Sequence, residues 1–247
     1  MDFDFKITDD ASYQIFLNYL KSVSKNETIV DKKRHIAILN TKQDVIAIAM
    51  STIRKTAKKI FKNGYEEFLN LSLKNDYKKE FYEETLIQGL VIAEIKDLNL
   101  QAKLFNTWVQ KIDNWSTCDT VVSTMKGLKN SKLKNDYFAH YSSLCYSKDE
   151  FVSRFGIIVL MTCFLEEEYV DDILKMCEKV KHDGYYVKMA VAWLLSYAFV
   201  KFKQKTYDFL GQKVLDKFTQ NKAISKCRES FRVEKQDKEN LLNYKIK

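Results

Sequence analysis

The feature that most constrains the fold of this 247-residue chain is that it contains no proline. At the usual frequency of about 5%, roughly twelve prolines would be expected. Glycine is scarce too, with six residues. β-Sandwiches and β-barrels need many turns that contain these two residues, and many α/β enzymes carry Gly-rich phosphate loops. The sequence therefore predicts an all-α protein.

Apolar residues recur at helical spacing through most of the chain. One stripe at i, i+3, i+4 and i+7 consists of Tyr13, Phe16, Leu17 and Leu20. Ser51 is predicted to cap a helix that stops at Asn63-Gly64. Further helical segments are predicted at roughly 65–73, 78–96, 100–111, 115–126, 132–144, 149–165, 168–181, 184–201, 203–217, 219–231 and 234–244.

The connectors between these segments are short and polar, and none resembles an interdomain linker. We therefore expect a single α-helical domain over residues 1–247. About a dozen helices joined by short connectors suggest stacked helix pairs. A two-helix repeat of the HEAT kind has a period of roughly 40–47 residues. The expected architecture is a right-handed solenoid of HEAT-like helix pairs, which presents a concave surface.

Several classes of function lack support in the sequence. The longest apolar runs, Phe155–Leu165 and Met189–Val200, are shorter than the roughly 18 residues of a membrane span. The N-terminal residues lack an apolar signal core, and Walker, GxGxxG and GxSxG patterns are missing. The three histidines have no metal-site spacing, so we expect no metal. The five scattered cysteines are typical of reduced, buried thiols in a cytosolic protein.

The charge of the chain makes nucleic acid the natural candidate partner. Lys and Arg total 41 against 33 Asp and Glu, for a formal net charge of +8. Basic residues gather in Arg54–Lys59 (RKTAKK), in Lys126–Lys134 (KGLKNSKLK) and between Lys222 and Arg232. Clusters of this kind suit contact with phosphates, because each neutralised phosphate releases condensed counterions. A solvated lysine face remains the alternative for any one cluster.

Three segments depart from plain amphipathic patterning. In IDNWSTCDTV (Ile112–Val121), Asp113 or Asn114 is placed to cap a helix, which puts Trp115 and Asp119 one turn apart on the same face. The segment FVSRFGIIVLM sets Arg154 ahead of a strongly apolar run, and YYVKMAVAWLL carries Trp193.

Together these segments resemble the bacterial DNA alkylation repair family, the alkylpurine DNA glycosylases built from HEAT-like repeats. FYEETLIQGLVI is similar to the family's helix that ends in a Gly-hydrophobic run, and KIDNWSTCD is similar to its Trp-x-x-x-Asp helix. SRFGIIVLM resembles the Arg-bearing helix, YYVKMAVAWLL the second Trp helix, and FTQNKAISKCRESFR the C-terminal repeat. The pieces occur in the family's order. The family's proline before an early basic helix is replaced here, with Ser51 ahead of Arg54.

The resemblance implies a site and an activity. Trp115, Asp119, Arg154 and Trp193 match the residues that line a concave basic cleft in the family. The cleft grips the DNA backbone around an N3- or N7-alkylated purine, and the base is excised without being flipped into a pocket. The residues we expect to contact DNA are Arg54, Lys126, Lys129, Lys132, Lys134, Lys188, Lys222 and Arg228.

The implied protein is a monomeric glycosylase that needs no cofactor, acts on double-stranded DNA with alkylated bases, makes no membrane contact, and works in the cytoplasm with the nucleoid. Two other functions stay open. One is a non-catalytic DNA-binding relative that recognises distorted or branched DNA, and the other is a helical-repeat scaffold for an acidic protein.

Structural roles also stay open for the site residues. Asp119 could cap a helix or pair with a lysine, and Arg154 could form an internal ion pair. A tryptophan within a helix is commonly a core residue, and we expect Trp108 to be one because Leu104 lies on its own stripe.

Overall fold

The computed structural model describes residues 6–24, 29–125, 128 and 133–247, with residues 29–32 described by their backbone alone. Within these ranges the protein is all-α, with thirteen α-helices, several short 3-10 turns and no strand. An isolated bridge joins Asp44 and Phe81. The predicted fold class is therefore confirmed at the level of its secondary structure.

The chain divides into two compact units, residues 1–127 and residues 128–247. We call them the first and the second unit. The described helices of the first unit are α1 (Asp10–Ser22), α2 (Ile29–Leu39), α3 (Met50–Ser72), α4 (Tyr82–Ala93), α5 (Leu98–Trp108) and α6 (Trp115–Val122). Those of the second are α7 (Lys134–Leu144), α8 (Glu150–Val159), α9 (Val170–Lys179), α10 (Tyr185–Lys201), α11 (Lys203–Gln212), α12 (Lys217–Glu229) and α13 (Lys235–Asn240). The single domain over residues 1–247 stays a prediction.

Helix α4 is the centre of the first unit, and every residue from Tyr82 to Ala93 is buried. Helices α3, α5 and α6 each pack against it. Trp108 of α5 is also buried, and its Nε1 donates a hydrogen bond to the carbonyl of Thr85 at 2.8 Å. Gly89 of α4 leaves the space that the indole ring fills. The prediction that Trp108 is a core residue is therefore confirmed.

The start of α3 differs from the prediction. The residue before the helix is Ala49, which makes no side-chain cap hydrogen bond, and Ser51 lies inside the first turn. The predicted cap at Ser51 is therefore wrong. The buried carboxylate of Glu83 binds the backbone N–H groups of residues 46–48, so a tertiary contact orders the chain that leads into this helix. The predicted stop at Gly64 is confirmed as a kink, where φ is 112°.

Helices α8 and α10 form the core of the second unit. In α8, every residue from Phe151 to Val159 is buried. A π-helical turn, Leu160–Phe164, continues the same apolar run. Helix α10 packs against α8, α11 and α12. The apolar runs that were too short to span a membrane are thus the centre of this unit, and no described helix is long and apolar enough to cross one.

Asp and Asn side chains cap the N-termini of five of the described helices, where they accept hydrogen bonds from backbone N–H groups of the first turn. These residues are Asp9, Asp97, Asn114, Asp149 and Asp216. All five cysteines are buried, and none of these described residues is in a disulfide. Burial raises the pKa of the Cys177 and Cys227 thiols to about 12, which keeps both protonated at neutral pH.

Candidate nucleic-acid interface

The loop before α3 is held by a buried carboxylate. Glu83 accepts hydrogen bonds from the N–H groups of Ile46, Ala47 and Ile48 at 3.0, 2.7 and 3.3 Å. Burial raises the pKa of Glu83, and these backbone hydrogen bonds oppose that shift. Ala47 has a left-handed φ of 71°, which a non-Gly residue adopts only when its surroundings impose it. Glu83 therefore orders the chain that leads into the basic helix α3.

Arg54 lines a surface cavity of about 340 Å³ in the first unit. Lys58 lies one turn further along α3 and lines the same cavity, opposite Ser123 and Thr124 at the end of α6. Glu94 is the one acidic residue of the lining. The hydroxyls of Ser123 and Thr124 donate to the carbonyls of Thr120 and Val121, each at 2.7 Å, so the two cations are the groups that could hold a phosphate.

Helix α6 presents the Trp-x-x-x-Asp pair as the sequence predicted. Asn114 caps the helix, and its side chain accepts from the N–H of Thr117 at 2.9 Å. Trp115 is 36% exposed, and its Nε1 donates to the carbonyl of Ile38 at 3.2 Å, which fixes the ring. Asp119 follows one turn later and is half-buried. Helix α6 thus carries a partly exposed indole and a half-buried carboxylate one turn apart.

The position of Ser123 connects this pair with the Arg54 cavity. Trp115, Asp119 and Ser123 are spaced by four residues, so they follow one face from the start of α6 to its C-cap. The N–H of Ser123 donates to the carbonyl of Asp119 at 3.0 Å. The sequence predicts Arg54, Asp119 and the basic run that contains Lys58, but it gives no signal for Ser123 and Thr124.

Arg154 lies in the second unit, and it is buried, with 5% of its surface exposed. Its Nη1 donates to the carbonyl of Tyr186 at 2.9 Å, and its guanidinium lies 6.0 Å from the centre of the Tyr186 ring. These contacts tie α8 to the first turn of α10, the helix that carries Trp193. A guanidinium in this position supports the start of that helix.

Trp193 is half-buried on α10, one turn before Tyr197. The two rings meet edge to face, with centroids 5.9 Å apart and an interplanar angle of 85°. The guanidinium of Arg232, from the loop after α12, lies 5.2 Å from the centre of the Tyr197 ring. Tyr197 is not among the predicted site residues, although its four-residue spacing from Trp193 places both on one helix face. The contact with Arg232 has no signal in the sequence.

Two of the lysines expected to contact DNA are next to carboxylates. Nζ of Lys134 lies 2.6 Å from a carboxylate oxygen of Glu166, and this hydrogen bond raises the pKa of Lys134. Nζ of Lys188 lies 3.8 Å from Asp183 and 3.9 Å from Asp216. Nearby acids therefore offset both positive charges.

The remaining predicted contacts are surface residues of α12 or lie outside the described part of the chain. Lys222 is half-buried, and Arg228 is exposed and donates from Nε to the carbonyl of Lys238 at 3.0 Å. Three predicted contacts lie outside the described residues, namely Lys126, Lys129 and Lys132. In the described ranges, no group of three His, Cys, Asp or Glu residues could hold a metal ion.

Exposed cations on a helical surface are a feature of nucleic-acid-binding proteins. The family model described as DNA alkylation repair enzyme matches residues 16–227. The chain therefore belongs to the DNA alkylation repair enzyme family, and the resemblance found in the sequence is confirmed. Its role is DNA alkylation repair, which makes DNA its partner. No curated protein and no solved structure matches the chain.

Proposed function

We propose that this protein is a DNA glycosylase that excises cationic N3- and N7-alkylated purines from duplex DNA without flipping the base. The observation that carries the proposal is the pair on α6, the half-exposed Trp115 and Asp119 one turn later, in a member of a DNA alkylation repair family. The right-handed solenoid of HEAT-like helix pairs, its concave basic cleft and the monomeric state belong to the same proposal, as does action at the nucleoid in the cytoplasm.

The chemistry of the substrate explains why one carboxylate is sufficient. Alkylation at N3 or N7 gives the purine a positive charge, so it leaves without protonation by a general acid. The enzyme has to stabilise the oxocarbenium-like sugar and orient water, which are tasks for a carboxylate. We assign both tasks to Asp119. The negative face of the Trp115 ring favours a developing cation at the sugar.

In the second unit, Trp193 takes the corresponding role of an aromatic face against the sugar, and Arg154 binds the phosphate beside the lesion. The residue resemblance supports these two assignments. In the first unit, Arg54 and Lys58 bind a phosphate at the cavity that both line beside the end of α6.

The burial of Arg154 favours a second candidate function. Its guanidinium donates to the carbonyl of Tyr186 and is 5% exposed, so phosphate contact requires this arginine to rearrange. A relative that binds distorted or branched DNA through its exposed cations, without excision, needs no such rearrangement. The glycosylase releases the alkylated base from DNA, whereas the non-catalytic relative binds DNA and releases no base.

The test is single-turnover excision of 7-methylguanine by the parent and by Asp119→Asn, with thermal melts of both. Asn is close in size to Asp and retains hydrogen bonding, but it has no charge to stabilise a cationic sugar. We expect excision to fall on the order of 10²-fold or more, with duplex affinity and melting temperature nearly unchanged, because the lost interaction is made mainly in the transition state.

The matched control is Asp10→Asn, which neutralises an exposed carboxylate in the first turn of α1. This variant should excise at the parental rate. A lowered melting temperature with a parental rate in Asp119→Asn would assign a structural role to Asp119. A parent that binds duplex DNA but releases no base would establish the second candidate.

A further inference from the structure

The loop between α12 and α13 holds a phenylalanine fully in solvent. Phe231 lies at its tip, with the whole side chain exposed. The residues around it are ordered by local contacts: the N–H of Arg232 donates to Ser230 Oγ at 3.2 Å, and Val233 is buried. Arg228 binds the carbonyl of Lys238 across the loop. These contacts order the backbone of the turn, and the Phe231 side chain projects from it into solvent.

Phe231 immediately precedes Arg232, which ends a row of side-chain contacts that begins at Trp193. Trp193 meets Tyr197 edge to face at 5.9 Å, and Arg232 lies over Tyr197 at 5.2 Å. All four residues belong to the second unit. The contacts run from the candidate sugar-contacting tryptophan to Arg232, the neighbour in sequence of the exposed ring.

The charge along this row is positive. The structure pairs Arg232 with the Tyr197 ring and, among the described residues, with no carboxylate. A guanidinium that stacks on an aromatic face keeps its N–H edges directed outward, where they can bind a phosphate. The one acid of the neighbouring cluster, Glu229, pairs with Lys226 at 3.3 Å.

We propose that Phe231 stacks on a base that is exposed at a distorted step of the duplex, while Arg232 binds the phosphate beside that step. An exposed aromatic ring next to cations is the combination that proteins use to contact unstacked bases and to hold their backbone. The cations of this loop, with Glu229 already paired to Lys226, match the charge of a nucleic acid, and we therefore assign DNA rather than a protein to this ring. The inference rests on the proposed function, because it assumes that DNA lies along Trp193.

The experiment measures the affinity of four proteins for two duplexes, one fully paired and one with a single unpaired nucleotide. The proteins are the parent, Phe231→Ala, Phe231→Trp and Arg232→Ala. Phe231→Ala should bind the bulged duplex about tenfold more weakly and the paired duplex nearly as the parent does, because base stacking is lost. Phe231→Trp should bind as the parent does. Arg232→Ala should weaken binding to both duplexes and lower the slope of log affinity against log salt by about one.

Leu242→Ala is the matched control, since Leu242 is another exposed apolar side chain of the second unit. It should bind both duplexes as the parent does, and thermal melts of all variants should coincide. If Phe231→Ala and the parent bind the bulged duplex equally, the role of Phe231 is disproved while the proposed function stands. If the parent binds neither duplex, the proposed function fails and this inference fails with it.

Discussion

Single residues at the start of α4 carry an unusual amount of buried charge. Glu80 pairs with Lys111 at 2.8 Å, and both side chains are almost fully buried. Glu84 accepts hydrogen bonds from the hydroxyl of Tyr13 at 2.8 Å and from the N–H of Phe81 at 2.7 Å. The sequence shows three glutamates, but it cannot show that they point inward. Their partners include Tyr13 of α1, the backbone of residues 46–48 and Lys111, all distant in the chain. These contacts connect the neighbouring elements to α4.

The first prediction concerns Glu84. Burial raises its pKa to about 7, against opposing hydrogen bonds from Phe81 and Tyr13. A carboxyl whose pKa is higher in the folded state contributes stability below the unfolded pKa of 4.5, and this contribution is lost as the pH rises through about 7. We therefore expect the stability of the parent relative to Glu84→Gln to decrease between about pH 5 and about pH 8, by at most ~3 kcal/mol.

Denaturant unfolding of both proteins across this pH range measures the effect. Glu239→Gln, which changes an exposed glutamate of α13, serves as the control and should follow the parent at every pH. Parallel curves for the parent and Glu84→Gln would contradict the raised pKa.

At the scale of elements, the sequence predicts helix starts and interruptions correctly where capping residues and glycine determine them. Asn114 caps α6 as expected, and Gly64 interrupts α3 as expected. The start of α3 was missed because Glu83 orders the preceding loop from another part of the chain. Helix α2 (Ile29–Leu39) was missed because the charged run DKKR interrupts its apolar residues.

The same limit applies to the candidate site. Trp115 and Asp119 lie on one helix, so their four-residue spacing in the sequence is enough to predict that they share a face. The contact of Arg232 with the Tyr197 ring involves residues from two elements. The cavity at Arg54 is likewise lined by residues from different helices. Arrangements of residues from different helices depend on how the helices pack, and the hydrophobic periodicity of a single sequence does not determine that packing.

The packing of α4 against α5 and α6 gives a prediction at the element scale. A Cβ added at Gly89 would lie 2.2 Å from Trp108 Cζ2 and 2.7 Å from Val121 Cγ2, too close for either side chain to stay in place. Gly89→Ala should lower the free energy of unfolding by roughly 1–3 kcal/mol, because the overpacking outweighs the better helix propensity of alanine.

Gly211→Ala is the matched control, since it makes the same change in α11 with its nearest contact, Tyr244 Cε1, at 3.5 Å. It should leave the stability unchanged or raise it by up to about 1 kcal/mol. Chemical denaturation of both variants gives the comparison. A Gly89→Ala variant as stable as Gly211→Ala would show that α4, α5 and α6 do not pack as described.

The whole molecule combines a described fold that is all-α, membership of a DNA alkylation repair family, and a carboxylate one turn from a partly exposed indole. The chemistry proposed for this arrangement depends on a leaving group that is already cationic. The enzyme then supplies stabilisation of the sugar and supplies no proton to the base. Substrate charge, rather than the shape of the adduct, should therefore decide which bases are released.

The most direct test of this claim compares base release from two duplexes that differ in the charge of one lesion. One carries 7-methylguanine, which is cationic, and the other carries O6-methylguanine, which is neutral. With protein in excess over DNA, we expect release of 7-methylguanine well above its spontaneous loss in a reaction without protein, and no release of O6-methylguanine. A 7-methylguanine duplex that the protein binds tightly but leaves at the spontaneous rate of base loss would contradict the account.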